Sequence, residues 1–293
     1  MKKKPQNQGL NIATVLAASK IFEEKGWEKI DDPQNLRSPF IRFCNMLEKM
    51  HACQKDMVLK LTRDYLIITS VNYRNHIRKT LDKVNSNTFD QAKNIFVLPM
   101  RENLDTDSES TDRAKIKGCS LVTYMFKEHD LLAHNKLYNK KIYAVPTLAG
   151  IPRHIASTEN LILFVDDFIG TGETAKGALT DLHSKMNIPK EKIVIFSLVG
   201  QKNGVEQLQK LGYECFVGTS INKGISEKFI GEEKESMLSF METLENELSE
   251  LKPNCRFGYK GSEALVTMAR TPNNTFPIYW LKDKDGDGAP FER

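Results

Sequence analysis

The run from Leu161 to Thr174, LILFVDDFIGTGET, holds the residue types best suited to chemistry in this chain. An apolar strand ends in two adjacent carboxylates, Asp166 and Asp167. A Gly/Thr turn follows, and Ala175-Lys176-Gly177-Ala178-Leu179 opens a helix. Such a turn offers backbone N–H groups and Thr hydroxyls to a phosphate at a helix N-terminus, where the helix dipole is positive. The two carboxylates can accept hydrogen bonds from neighbouring sugar hydroxyls or hold them through a divalent cation. Gly170 and Gly172 let the backbone approach the ligand closely. The combination suits a sugar phosphate. The bland alternative is a strand-to-helix turn whose acidic pair caps the helix. Other phosphate loops are absent: no G-x-x-x-x-G-K-[ST] occurs, and no G-x-G-x-x-G follows a strand.

This segment resembles the phosphoribosyl pyrophosphate (PRPP) loop of type I phosphoribosyltransferases. The resemblance implies that Asp166 and Asp167 face the ribose 2′ and 3′ hydroxyls, directly or with Mg²⁺ held through ligand or water. It implies that Ile169, Gly170, Thr171, Gly172, Glu173 and Thr174 wrap the 5′-phosphate. Two positions depart from the pattern. Phe168 replaces a smaller aliphatic residue, and Gly170 stands where a hydroxyl residue is common.

The elements that must position this site read as an α/β protein. Ile95–Pro99, Lys141–Val145, Leu161–Val165, Ile193–Val199 and Tyr213–Val217 are short apolar runs separated by helical patterns. That alternation predicts a doubly wound, mainly parallel sheet covered on both faces. Ligands of such sheets bind beyond the carboxyl ends of the strands, where Asp166 lies. Residues 1–88 read as a helical cap or partner-binding domain, with Val15, Leu16, Ile21 and Phe22 as one stripe and Gly26 as a stop. Residues 89–281 read as the α/β domain, and 282–293 as a flexible acidic tail. A long charged helix is expected from about Ser226 to Leu251.

Two further strand-end loops are candidates. Arg101 opens a polar loop reaching Arg113, and Arg153 follows the Lys141–Val145 strand. A guanidinium suits pyrophosphate oxygens. The competing readings are a disordered acidic loop for the first and a surface arginine for the second. Near the C-terminus, Pro272-Asn273-Asn274-Thr275 is strong turn chemistry. Asn273 and Asn274 are candidates to read an acceptor, and Tyr279 to stack on one; a structural turn before a strand is the alternative. These blocks, with Lys223-Gly224-Ile225-Ser226, Gly258–Val266, the Asp-Asp loop and the N-terminal helices, resemble a phosphoribosyltransferase-like family of bacterial conflict systems. Some of its members are encoded beside retron reverse transcriptases and act as candidate antiphage effectors. The resemblance implies a PRPP ligand, transfer at the ribose anomeric carbon with pyrophosphate release, and a homo-oligomer. A partner, protein or ribonucleoprotein, would bind the N-terminal helices. A non-catalytic PRPP- or nucleotide-binding regulator, or a partner-controlled toxin component, is the alternative.

Composition narrows the classes. The 293 residues have a net charge of +4, too mild to argue for nucleic acid alone. Five cysteines without a C-x-x-C suggest a reducing cytoplasm rather than a disulfide framework or zinc site. No apolar stretch spans a bilayer and no signal-peptide core opens the chain. The six histidines lack metal spacing. Asp283-Lys284-Asp285-Gly286-Asp287-Gly288 imitates an EF-hand start but has no room for the closing Glu.

Overall fold

The structure, a computed structural model, describes residues 10–27, 38–101, 117–152, 154–157, 159–285 and 288–293. In chain order the elements are α1 (Ile12–Lys25), α2 (Pro39–Glu48), α3 (Ala52–Thr62), β1 (Leu66–Ile67), α4 (Tyr73–Asp82), α5 (Asn87–Gln91), β2 (Asn94–Pro99), α6 (Gly118–Met125), α7 (His129–Leu132), β3 (Lys141–Ala144), β4 (Asn160–Ile169), α8 (Glu173–Lys185), β5 (Ile193–Gln201), α9 (Lys202–Lys210), β6 (Glu214–Ile221), α10 (Gly231–Glu245) and β7 (Val266–Thr267). They form two compact units: Ile68–Asn222, and Met1–Ile67 together with Lys223–Arg293.

The Ile68–Asn222 unit holds a five-stranded sheet of order β3-β2-β4-β5-β6, parallel throughout. Its central strands are continuous apolar runs because both faces are covered. Every residue of β5 is buried, and so are the first six of β4. Phe96, Leu98, Ile162, Phe164, Ile193 and Ile195 share one core with Ala178, Leu179 and Leu182 of α8 and Leu208 of α9. On the opposite face Phe126, just after α6, meets Phe196 edge to face at 5.6 Å. From α4, Thr80 donates its hydroxyl to Ser197 O at 3.4 Å, and Lys83 donates to Gly218 O at 2.5 Å. This is the expected doubly wound α/β arrangement.

The other unit is built from both ends of the chain. Its core joins Phe22, Phe43, Leu47 and Tyr65 to Met241, Phe276, Tyr279 and Phe291. β1 pairs in parallel with β7, Leu66 opposite Val266. Gly26 stops α1 in the left-handed conformation, as expected.

Three sequence expectations change here. The compact units divide after Ile67 and Asn222, where a linear division after residue 88 was expected. The physical reason is that the apolar face of α1–α3 is covered by residues of the C-terminal segment, while α4 packs on the sheet. Residues 282–293, expected as a flexible tail, are held in their described part. Phe291 is buried, its N–H donates to Tyr279 O at 2.8 Å, and Leu248 bridges Asp283. The long helix is shorter than expected, Gly231–Glu245, because Ile230 is extended and Gly231 has a φ of 57°. No helix among the described residues is long and apolar enough to cross a membrane.

Candidate functional site

β4 carries the acidic pair to the carboxyl edge of the sheet. The strand continues in register with β5 past the pair, Phe168 opposite Val199 and Ile169 opposite Gly200, so the carboxylates are held by a paired backbone. Successive side chains leave opposite faces of a strand. Asp167 therefore turns to the face of α4 and α6. There Tyr73 donates its hydroxyl to Asp167 Oδ2 at 2.6 Å. Asp166 Oδ1 accepts from the Asp167 N–H at 2.9 Å.

Both carboxylates are half-buried. Burial raises the pKa of Asp166 well above the usual carboxylate range, and the neighbouring Asp167 charge adds to it. Burial also raises Asp167, with the Tyr73 hydrogen bond opposing the rise. Cys119, in α6, feels both negative charges; burial first, then that field, pushes its thiol up to about 12. It is not a nucleophile at neutral pH. The site thus concentrates negative charge that a cation or hydroxyl donors would relieve.

The turn after β4 is set by contact with α9. A Cβ on Gly204 would lie 2.0 Å from the Gly170 carbonyl oxygen, and one on Gly172 would lie 3.1 Å from Gly204 O. Gly172 has a φ of 79° and precedes α8 without any side-chain cap. α2, α4, α6, α7, α9 and α10 also lack a side-chain cap, whereas Asn11 caps α1 through the Ala13 N–H and Ser86 caps α5 through the Phe89 N–H. The start of α8 thus carries no capping side chain, and a helix N-terminus of this kind favours an anion. Thr171 is half-buried, Glu173 and Thr174 are exposed, and Ile169 is buried. Ile169 contributes backbone to the turn and its side chain to the core. Lys176 reaches Glu173 at 3.7 Å and donates to Gln207 Oε1 at 2.5 Å, fastening α8 to α9.

Arg101 lies just past β2 on the same carboxyl edge. Met100 N–H donates to Val165 O at 2.8 Å, and Arg101 Nη2 donates to Pro146 O at 3.0 Å. The sheet thus brings Arg101 and the acidic pair to neighbouring strand ends. Arg153 and loop residues 102–116 lie outside the described residues.

Residues 31–292 match the PRTase-CE family model. The chain belongs to the PRTase-CE family. The chain is thus phosphoribosyltransferase-like. Among solved structures, orotate phosphoribosyltransferase from Aeropyrum pernix is similar at 14% identity, with a TM-score of 0.30 over 51% of this chain and 71% of that one. A comparison with curated proteins finds no match.

In this PRTase-CE chain the acceptor candidates belong to the other compact unit. Tyr279 does not offer a stacking face. It is fully buried, 4.6 Å from the Tyr65 ring, with its hydroxyl 2.9 Å from Thr62 Oγ1. An aromatic after a turn suggests a ligand platform, but its apolar surroundings make Tyr279 part of the core. Asn273 and Asn274 are half-buried, and their carbonyls are used by the fold. Asn273 O accepts from Tyr259 N–H at 2.8 Å, and Asn274 O from Ser262 Oγ at 2.7 Å. Lys49 pairs with Asp283 at 2.5 Å and Asp285 at 3.6 Å in the EF-hand-like stretch. Sequence reasoning missed Tyr73, Gly118 and Gly204. They are distant from the motif in sequence, and no local pattern marks them.

Proposed function

We propose that this chain binds PRPP with Mg²⁺ and transfers the phosphoribosyl group at its anomeric carbon, releasing pyrophosphate. The observation that carries this reading is the acidic strand end followed by a Gly/Thr turn that Gly204 braces at the start of a helix. One part suits ribose hydroxyls, the other the 5′-phosphate. Thr171, Gly172, Thr174 and the α8 amides anchor the phosphate, so that remote binding energy positions the reacting carbon. The bond from that carbon to pyrophosphate breaks and one to the acceptor forms. Asp166 and Asp167 hold the ribose and their negative charge favours the positive charge developing on its ring.

The donor set fits Mg²⁺ carried with the substrate. Among the described residues no group of three or more His, Cys, Asp or Glu side chains forms a metal cage, whereas Mg²⁺ is commonly held by one or two carboxylates plus substrate oxygens. Asp166 and Asp167 would hold it through ligand or water, and the bound ion would neutralise the leaving pyrophosphate. Arg101, on the neighbouring strand end, would assist at the pyrophosphate, and Arg153 is a second candidate on sequence grounds. Asn273 and Asn274 remain acceptor candidates.

The biological setting is proposed as an antiphage effector acting on nucleotides or nucleic acid in the cytoplasm, as a homo-oligomer. The five free cysteines agree with a reducing compartment. Ile12 and Leu16, one turn apart on α1, are 76% and 63% exposed, which favours control by a protein or ribonucleoprotein partner at these helices. The test is an acceptor screen for pyrophosphate release from PRPP. Binding of PRPP with no release in the presence of nucleobases, nucleotides and tRNA would favour the non-catalytic regulator instead.

A further inference from the structure

Tyr73 opens α4 and lies 94 residues before Asp167 in sequence, yet its hydroxyl donates to Asp167 Oδ2 at 2.6 Å. The side chain is fully buried. A buried phenol requires a polar partner, and here that partner is a carboxylate of the site. A hydrogen bond to a charged acceptor is stronger and more directional than a neutral one.

A second element holds the same carboxylate. Gly118 opens α6, and a Cβ built on it would fall 1.9 Å from Asp167 Oδ2, 2.2 Å from Cγ and 2.4 Å from Oδ1. The Asp167 carboxylate therefore occupies the volume that any other residue at 118 would fill. It is braced by the Gly118 backbone and tied at one oxygen by Tyr73. Among the described residues Asp166 has no such clasp; its Oδ1 accepts from the Asp167 N–H.

We infer that Tyr73 is a positioning residue for ribose recognition, fixing Asp167 through Oδ2, with Gly118 providing the space the fixed carboxylate needs. This rests on the PRPP reading above. A carboxylate already held in one rotamer loses less freedom when a hydroxyl binds. Tyr73 itself need not touch the sugar.

The test is a double-mutant cycle read by titration with PRPP and Mg²⁺, using wild type, Tyr73→Phe, Asp167→Asn and the double variant. Tyr73→Phe is expected to weaken binding about tenfold, the scale of a hydrogen bond to a charged group. In the Asp167→Asn background the same change is expected to cost less than about twofold. An equal loss in both backgrounds, or none in either, overturns the positioning role and leaves the PRPP reading intact. Failure of folded wild type to bind PRPP overturns the PRPP reading, and this inference with it. Gly118→Ala gives an independent cycle if Tyr73→Phe does not fold. It is expected to impair PRPP binding at least tenfold beside Asp167 and to be neutral relative to Asp167→Ala, which vacates the space. An equal loss beside Asp167→Ala overturns the bracing role.

Discussion

Glu263 and the Asp166–Asp167 pair are carboxylates set close to backbone in different compact units, and they are served differently. Glu263 is only 4% exposed and is closely supplied. It accepts from the Ile225 N–H at 3.0 Å, the Ser226 N–H at 2.7 Å and the Ser226 hydroxyl at 2.5 Å, with the Lys223 ammonium at 3.8 Å. The aspartates have Tyr73 and nearby backbone amides, remain half-buried and repel each other. A carboxylate that holds a fold together is satisfied by the fold. A pair with fewer donors among the described residues, at the carboxyl edge of a sheet, supports the proposed ligand site.

Glu263 is where the largest loss of stability is expected. Glu263→Ala would strand the Ile225 and Ser226 amides, costing about 3 kcal/mol of stability. Chemical denaturation measures this; a loss under about 0.5 kcal/mol would contradict the structural role. At the ligand side, Gly204→Ala would push a Cβ towards the Gly170 carbonyl, now 2.0 Å from that position. It is expected to weaken ribose 5-phosphate binding about tenfold by distorting the turn, as calorimetric titration would show.

The aspartate pair should respond in the opposite sense to Glu263 in stability. Burial raises both pKa values. The folded state therefore binds protons more tightly than the unfolded chain, and the associated stability is present at low pH and lost as pH rises through the raised values. Asp166→Asn with Asp167→Asn removes that loss. Its melting midpoint at neutral pH is expected to rise by roughly 2–4 °C, with the gain shrinking below the ordinary carboxylate range. A melting series across pH checks both sign and window.

Glu245 is a second buried carboxylate of the unit that holds Glu263. Both its oxygens accept from the Phe257 N–H at 3.0 Å, yet burial raises its pKa from 4.5 to about 7. Stability linked to this group declines as pH rises from about 4.5 to about 7. Glu245→Gln should remove most of that decline, on the order of 3 kcal/mol, seen as a smaller change in denaturation midpoint between those pH values.

The sheet was legible because its strands are buried on both faces. Ile193–Val199 and Leu161–Val165 read as apolar runs, and both lie in long buried strands. The acidic pair and Gly/Thr turn were legible because a strand end, carboxylates and glycines are contiguous. What sequence concealed was tertiary partnership. Periodicity shows that α1–α3 have an apolar face, but not that Phe276, Tyr279 and Phe291 cover it. For the same reason Tyr279 looked available to a ligand, and Phe291 looked like part of a tail. Tyr73 belonged to an ordinary helical pattern; only the fold brings its hydroxyl to Asp167. Gly204 likewise gains meaning only when α9 meets the turn at Gly170.

Asp166 and Asp167 are proposed to form a ribose-phosphate site. Its most direct test is titration of the purified protein with PRPP and Mg²⁺ beside the Asp166→Asn/Asp167→Asn variant. Saturable binding by wild type, weakened about a thousandfold in the folded variant, is the expected result, since hydrogen bonds to two charged groups are removed. Equal binding by both proteins, or none by folded wild type with and without Mg²⁺, would contradict it.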